Sequence, residues 1–419
     1  MSIMFDTAWV RSQFPALASR NGSRPEIFFD GPGGTQVPHR VVDGVAGYLA
    51  GSNANIHGAF RTSRESDRVV EGAHSAAADL LGCSEREVMF GPNMTTLAFW
   101  LSHALACEFG PGDEIIVTRL DHDANQAPWK CLAERGVRIL EVRFRHEDCT
   151  LDMEDLRSKL GERTKLVAVG YASNAVGTIN DVAAIGRDAH RAGARVFVDA
   201  VHYAPHGPID VKALDCDFLA CSAYKFFGPH QGLLYGKEEH LERLRAYKVR
   251  PADNALPWRF ETGTQNHECM AGTVAAIEYL AELGRRCSGD DGAGRREAVL
   301  AAMQAVRAYE RGLAIGLIRG LLAVPGLEFY GIRDEERFDQ RAPTAAVRLR
   351  GHSPRRVAEF LGEQGIFVWD GNFYALSVTE DLGLEDSGGL VRIGLAHYNT
   401  EEEIETLLDA LSGIAGTAS

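Results

Sequence analysis

The sequence predicts an α/β protein in which a large domain, built on a mainly parallel seven-stranded sheet, joins a smaller α+β C-terminal domain. Three observations predict it. Seven short apolar runs rich in Val, Ile and Leu alternate with helical stretches from about residue 85 to 235, the pattern of a sheet covered on both faces. The stretch Ser288-Gly289-Asp290-Asp291-Gly292-Ala293-Gly294 interrupts that order as a loop, and a long helical pattern follows it. The 419 residues also exceed the size at which one hydrophobic core keeps growing.

In chain order, strands are expected at Glu87–Phe90, Glu114–Thr118, Arg138–Val142, Leu166–Tyr171, Arg195–Asp199, Phe218–Ser222 and Gly232–Tyr235. Helices are expected between them at Thr95–Glu108, Ala124–Arg135, Met153–Leu160 and Val182–Ala192. Beyond the loop come a helix from Arg295 towards Leu322, a strand Ala345–Leu349 and a helix Pro354–Gln364. Strands Ile366–Trp369 and Leu390–Gly394 and a final helix Thr400–Ser412 complete the set. The expected domains are 26–287 and 295–419, with the N-terminal arm 1–25 packed on the second.

Bulk properties narrow the function. Hydrophobic content of 45% and charged content of 24% are those of an ordinary globular protein. No apolar run approaches the ~18 residues needed to span a bilayer, and the N-terminus lacks the basic and apolar regions of a secretory leader. A cytoplasmic location is expected. A net charge of −14 argues against nucleic acid or an anionic membrane as partner. The eight cysteines form no C-x-x-C pair and stand at no zinc-site spacing, so no metal is expected. None lies beyond Cys287.

Two strand ends carry the chemistry. Val196-Phe197-Val198-Asp199-Ala200 ends an apolar strand in a carboxylate. Phe218-Leu219-Ala220-Cys221-Ser222-Ala223-Tyr224-Lys225 leaves another strand into a turn bearing a lysine. Ligands in such sheets sit at the carboxyl ends of strands. A lysine against an apolar wall shifts towards its neutral form and can make a Schiff base with an aldehyde. An aspartate can keep a pyridine nitrogen protonated, so that the ring accepts electrons from a substrate carbon. Together they suit pyridoxal 5'-phosphate (PLP). Taken by themselves, the two residues also fit a helix-capping aspartate and a surface lysine.

These segments resemble the class V aminotransferase superfamily, in particular its cysteine desulfurase and selenocysteine lyase branch, from about Phe28 to Leu411 in one colinear order. The resemblance implies the PLP fold type I architecture, a homodimer with shared active sites, and PLP attached through Lys225. It implies that Asp199 meets the ring nitrogen and that His122, in Asp121-His122-Asp123, stacks on the ring. Asn174 and His202 would stand by the ring hydroxyl. Met94, Thr95 and Thr96 open a helix that resembles the family's phosphate-binding turn, where backbone N–H groups and the helix dipole favour an anion. Ser222 and Tyr224 would add phosphate contacts, and Thr264 would reach the phosphate of the neighbouring subunit. Arg392 matches the arginine that clamps the substrate carboxylate, with Asn372 nearby on the substrate side.

The sequence departs from the desulfurase pattern at three places. His202 stands where a glutamine is usual, and Tyr224 where a histidine is common. Tyr374, in Asp370-Gly371-Asn372-Phe373-Tyr374, occupies about the place of the sulfur-carrying cysteine. A phenol cannot form a persulfide. The expected activity is therefore Cα deprotonation of an amino acid by Lys225, followed by β-elimination of a sulfur leaving group. Tyr374 is expected either to protonate that group or to shape the pocket. Transamination and epimerisation are alternatives. So are a true desulfurase using Cys269 or Cys287 and a non-catalytic protein of the same fold.

Overall fold

Strands of the main sheet form where short apolar runs meet, and a computed structural model describes them within residues 5–22 and 24–416. They are β1 (Val88–Gly91), β2 (Glu114–Thr118), β3 (Arg138–Val142), β4 (Thr164–Gly170), β5 (Arg195–Asp199), β6 (Phe218–Ser222) and β7 (Gly232–Gly236). Their order across the sheet is β3-β2-β4-β5-β6-β7-β1. β7 runs antiparallel to both its neighbours, and the other pairings are parallel. The sheet is thus mainly parallel and seven-stranded, as expected.

Alternation along the strands fills both faces. Val167, Val169, Val196, Val198 and Leu219 belong to one apolar core, whereas Leu166, Ala168, Phe197, Phe218 and Ala220 belong to the other. A period of two with both faces apolar is what a sheet sandwiched by helices requires. Six strands bring their carboxyl ends to one edge, and β7 begins there.

A second, antiparallel sheet has the order β8-β9-β11-β10, from β8 (Leu327–Tyr330), β9 (Thr344–Leu349), β10 (Trp369–Gly371) and β11 (Leu390–Gly394). Helices Arg295–Ala323, Pro354–Glu363 and Glu401–Ala415 contribute to its apolar core. The strand expected at Ile366–Trp369 is divided. Ile366–Phe367 pairs in parallel with Ile27–Phe28, while Trp369–Gly371 joins the second sheet. Its first partner lies more than three hundred residues away, beyond the reach of a local pattern.

The helix expected over Ala124–Arg135 is also corrected. Asp123–Asn125 and Cys131–Arg135 are 3₁₀ turns around a single α-turn, Ala127–Lys130. Pro128 has no N–H to give and fits only a first helical turn, so one helix cannot run through it.

Three further helices, His39–Gly51, Arg61–Leu81 and His267–Ser288, frame the main sheet. The last crosses Arg295–Ala323 so closely that a Cβ on Gly284 would lie 1.7 Å from the Ala298 carbonyl oxygen. The N-terminal segment packs against both parts of the chain. Phe14 meets Phe227, Tyr279 and Tyr398 edge-on or tilted, and Arg11 pairs with Glu403 at 2.8 Å. Among the described residues no helix is long and apolar enough to cross a membrane, and no group of three or more His, Cys, Asp or Glu side chains could hold a metal ion.

Candidate active site

The carboxyl edge of the main sheet opens into a cavity of about 1170 Å³. Each surrounding element delivers a side chain by its own local chemistry. β5 ends on Asp199, whose carboxylate accepts the Val201 N–H at 2.9 Å. β6 ends on Ser222, and the 3₁₀ turn Ala223–Lys225 then swings Lys225 inward. Ser222 Oγ accepts the Met94 N–H at 3.0 Å, fixing the start of helix Met94–Leu105. Asn93 caps that helix by accepting the Thr96 N–H at 2.9 Å. Gly232 opens β7 against this turn, where a Cβ would meet the Asn93 backbone at 2.5 Å. Only glycine admits so close an approach.

Of the residues expected from the sequence, Met94, Thr95, Thr96, His122, Asn174, Asp199, His202, Ser222, Tyr224, Lys225, Asn372, Tyr374 and Arg392 line this one cavity. Thr264 does not; it lies exposed on the loop before helix His267–Ser288.

Burial sets the electrostatics. It pushes the Lys225 amine down to about 7, helped by the Arg392 charge and opposed by Asp199 and Asp30. The amine donates to the Pro32 carbonyl oxygen. Burial also raises the Asp199 carboxyl to about 6, against the Val201 hydrogen bond and the Lys225 charge. His122 is held down to about 4 by burial, then by Lys225 and Arg392. His202 is held well below its ordinary value by burial, then by His206, Arg392 and Lys225, and its Nε2 lies 3.0 Å from Thr344 Oγ1. Both imidazoles are therefore neutral near pH 7.

Arg392 is buried on β11. One Nη donates to the Asn174 carbonyl oxygen at 3.0 Å, and the guanidinium lies 4.3 Å from the Phe373 ring centroid. Its Nε and the Asn174 side-chain oxygen are buried with no hydrogen-bond partner among the described residues. Unsatisfied groups of this kind mark places where a bound molecule completes the hydrogen bonding.

The segment Trp369–Tyr374 covers one side. Asp123 N–H donates to the Tyr374 carbonyl oxygen at 2.7 Å, and the Asn174 amide donates to that of Phe373 at 2.9 Å. Phe373 and Tyr374 both take left-handed backbone angles, φ +57° and +59°, an arrangement that surrounding contacts must hold for residues with a Cβ. Tyr374 itself is 74% exposed and stacks on His122, ring centroids 5.5 Å apart. Asn372 donates to Glu385 at 2.9 Å.

Several site residues escaped sequence reasoning. Asp121 accepts the Gly170 N–H at 2.9 Å and the Asn125 amide at 2.8 Å, and burial raises its carboxyl to about 7. Asp30, lifted to about 6 by burial, opens the turn that carries Pro32. Thr35 ties that turn to the lysine loop by accepting the Phe227 N–H at 2.9 Å. The signal for this segment was the run Asp30-Gly31-Pro32-Gly33-Gly34 directly after an apolar triplet.

Comparison with known proteins follows the same outline. The family model described as aminotransferase class-V matches residues 27–407. A probable cysteine desulfurase of Mycolicibacterium paratuberculosis is 33% identical over 98% of this chain, which spans 58% of that protein's length. A cysteine desulfurase of Cronobacter sakazakii is 31% identical, with 97% of this chain and 98% of the relative covered. Among solved structures, apo cysteine desulfurase from Thermococcus onnurineus superposes with a TM-score of 0.84 at 28% identity, covering 93% of this chain and 95% of the other.

Proposed function

Because the chain belongs to the class-V aminotransferase family of PLP-dependent, fold type I enzymes, we propose that it cleaves a carbon–sulfur bond in a cysteine derivative by β-elimination. The cavity fits the cofactor. It holds a lysine shifted towards its neutral form, a buried carboxylate, a helix N-terminus and unsatisfied polar atoms on Asn174 and Arg392. In this reading Lys225 would attach PLP, Asp199 would meet the ring nitrogen and His122 would lie on the ring face. Asn174 and His202 would serve the ring hydroxyl. Met94, Thr95, Thr96, Ser222 and Tyr224 would hold the phosphate, with Thr264 reaching over from a second subunit. When bound, the cofactor supplies an electron sink for the pair released at the substrate Cα.

The chain's own residues do the rest. Arg392 takes the substrate carboxylate through its free Nε edge, with Phe373 against the guanidinium. Lys225, whose amine burial holds down to about 7, would serve as general base for the Cα proton once the substrate amine has displaced it from the cofactor. Departure of the thiolate from Cβ then gives aminoacrylate, which takes up water to leave a keto acid and ammonia. Neutral His122 and the Tyr374 phenol stacked on it stand at the mouth of the cavity. They shape the leaving-group side.

One observation carries elimination over sulfur transfer to the protein. Among the described residues no cysteine lines the cavity, and the covering segment presents Tyr374. Cys269 and Cys287, the alternatives, lie outside it, with thiols raised by burial first. A cytoplasmic homodimer and a division into domains 26–287 and 295–419, the arm 1–25 included with the latter, belong to the same proposal. Free cysteines suit a reducing compartment.

The test is a product assay on S-alkylcysteines. Equal amounts of thiol, keto acid and ammonia, without an added keto-acid acceptor, are expected. A requirement for such an acceptor would establish transamination instead. Inversion at Cα without thiol release would establish epimerisation.

A further inference from the structure

We propose that His74 is a positioning residue: a buried imidazolium that, through Glu261, locks the root of the phosphate-binding turn to the root of the loop that carries Thr264 towards the neighbouring subunit. This rests on the PLP reading above. His74 sits on helix Arg61–Leu81 and is 2% exposed. Its Nδ1 lies 2.8 Å from the Val70 carbonyl oxygen, one helical turn back. A carbonyl only accepts, so Nδ1 carries a proton. Its Nε2 lies 2.9 Å from Glu261 Oε1, and the same oxygen accepts the Phe90 N–H at 2.7 Å. Because Glu261 Oε1 already accepts a backbone N–H, we take it as a carboxylate acceptor towards Nε2 too, which places a proton there. Both ring nitrogens donate, and the ring is a cation paired with a buried anion.

The place of this pair gives it a task. Phe90 stands one residue before the end of β1, which leads through Pro92 and Asn93 into the helix start Met94–Thr96. Glu261 is followed directly by Thr262-Gly263-Thr264. One carboxylate thus ties the root of the phosphate-binding turn to the root of the Thr264 loop, and His74 neutralises it. The rings of Phe90 and Trp258 pack edge-on to the imidazole at 5.1 and 4.6 Å and exclude water. Without the proton on Nε2, two acceptors would face each other in an apolar surrounding, and an unpaired buried charge is costly.

Titration follows. Burial alone lowers the pKa of His74, but the Glu261 hydrogen bond and charge, the Val70 hydrogen bond and the more distant Glu85 charge together outweigh it and the net shift is upward. A raised folded-state pKa gives stability that is complete below the unfolded value of about 6.5 and is lost as pH rises through the folded value. The clamp therefore loosens on the alkaline side.

Cofactor release provides the test. The holoenzyme is diluted into a PLP trap at pH values from about 6.5 to 9.5, and loss of the cofactor's absorbance is followed in wild type, His74→Gln, His74→Arg and Glu261→Gln. His74→Gln is expected to release PLP roughly tenfold faster than wild type near neutrality, the loss of one charge-assisted hydrogen bond. His74→Arg is expected to match wild type near neutrality and to release more slowly than wild type on the alkaline side, because its charge does not titrate. Comparing those two at each pH removes any pH dependence common to both. Equal release by His74→Gln and wild type would overturn the proposal, and so would alkaline loosening of the same size in His74→Arg. Where His74→Arg does not fold, fast and pH-independent release from Glu261→Gln supports the proposal and wild-type release contradicts it. A wild-type protein that binds no PLP would instead sink the cofactor reading itself.

Discussion

Lys225 shows how a single side chain acquires its chemistry from burial. Its amine is held near 7 mainly because the cavity strips away water. The unfolded chain holds that proton up to about pH 10.4, so in the apoprotein the folded state binds fewer protons between those values. Stability of the apoprotein should therefore rise with pH across that window, with the full penalty present below it. Lys225→Met should remove the penalty. Its apo form is expected to be more stable than wild type near pH 6, and the gap should narrow towards pH 10 in denaturant titrations. Arg392→Lys keeps a charge but loses the fork that grips a carboxylate and its contact with Phe373. We expect kcat/KM to fall roughly 10- to 100-fold, chiefly through KM. Asp199 and Lys225 were legible in the sequence because Asp199 ends one apolar strand, Lys225 stands in the turn after another, and the segments around them resemble the class V family. Asp121 and Asp30 were not, because their roles depend on Gly170, Lys225 and Arg392, which arrive from distant parts of the chain.

Among the elements, close approach decides most. The crossing of His267–Ser288 with Arg295–Ala323 leaves no room for a methyl group at Gly284. Gly284→Ala should force the helices apart and lower the thermal midpoint by several degrees, a cost of about 1–3 kcal/mol. Gly232→Ala presses on the Asn93 backbone instead, so its first effect should be weaker cofactor retention, measured as PLP content after dialysis. Strands of the main sheet were readable because their apolar runs have the right length and are bounded by turns. The divided strand near Val368 was not, since its first half pairs with Ile27–Phe28. The covering segment Trp369–Tyr374 could be placed by resemblance, but its fixed, left-handed conformation comes from Asp123 and Asn174 in other loops.

For the whole molecule, the main sheet, the second sheet and the turn Gly31–Gly33 all converge on one cavity, and Thr264 alone of the expected site residues stands outside it. Strand and helix periodicity carried the layered architecture. A contact between two copies leaves no periodicity in a sequence, and Thr264 was singled out by resemblance alone. If Thr264 acts across subunits, mixing Lys225→Ala and Thr264→Ala chains should regenerate one intact site per mixed dimer. The mixture should then exceed the activity of either variant by itself, whereas an intrasubunit Thr264 gives no gain. The central claim is elimination at Lys225 without sulfur carried on the protein. It is tested most directly by the intact mass of the enzyme, recorded during turnover of cysteine or an S-alkylcysteine alongside the keto acid released. We predict an unmodified polypeptide mass, after reduction of the cofactor linkage is accounted for, and keto acid formed in step with thiol or sulfide. A protein one sulfur atom heavier, with alanine as co-product, would contradict it.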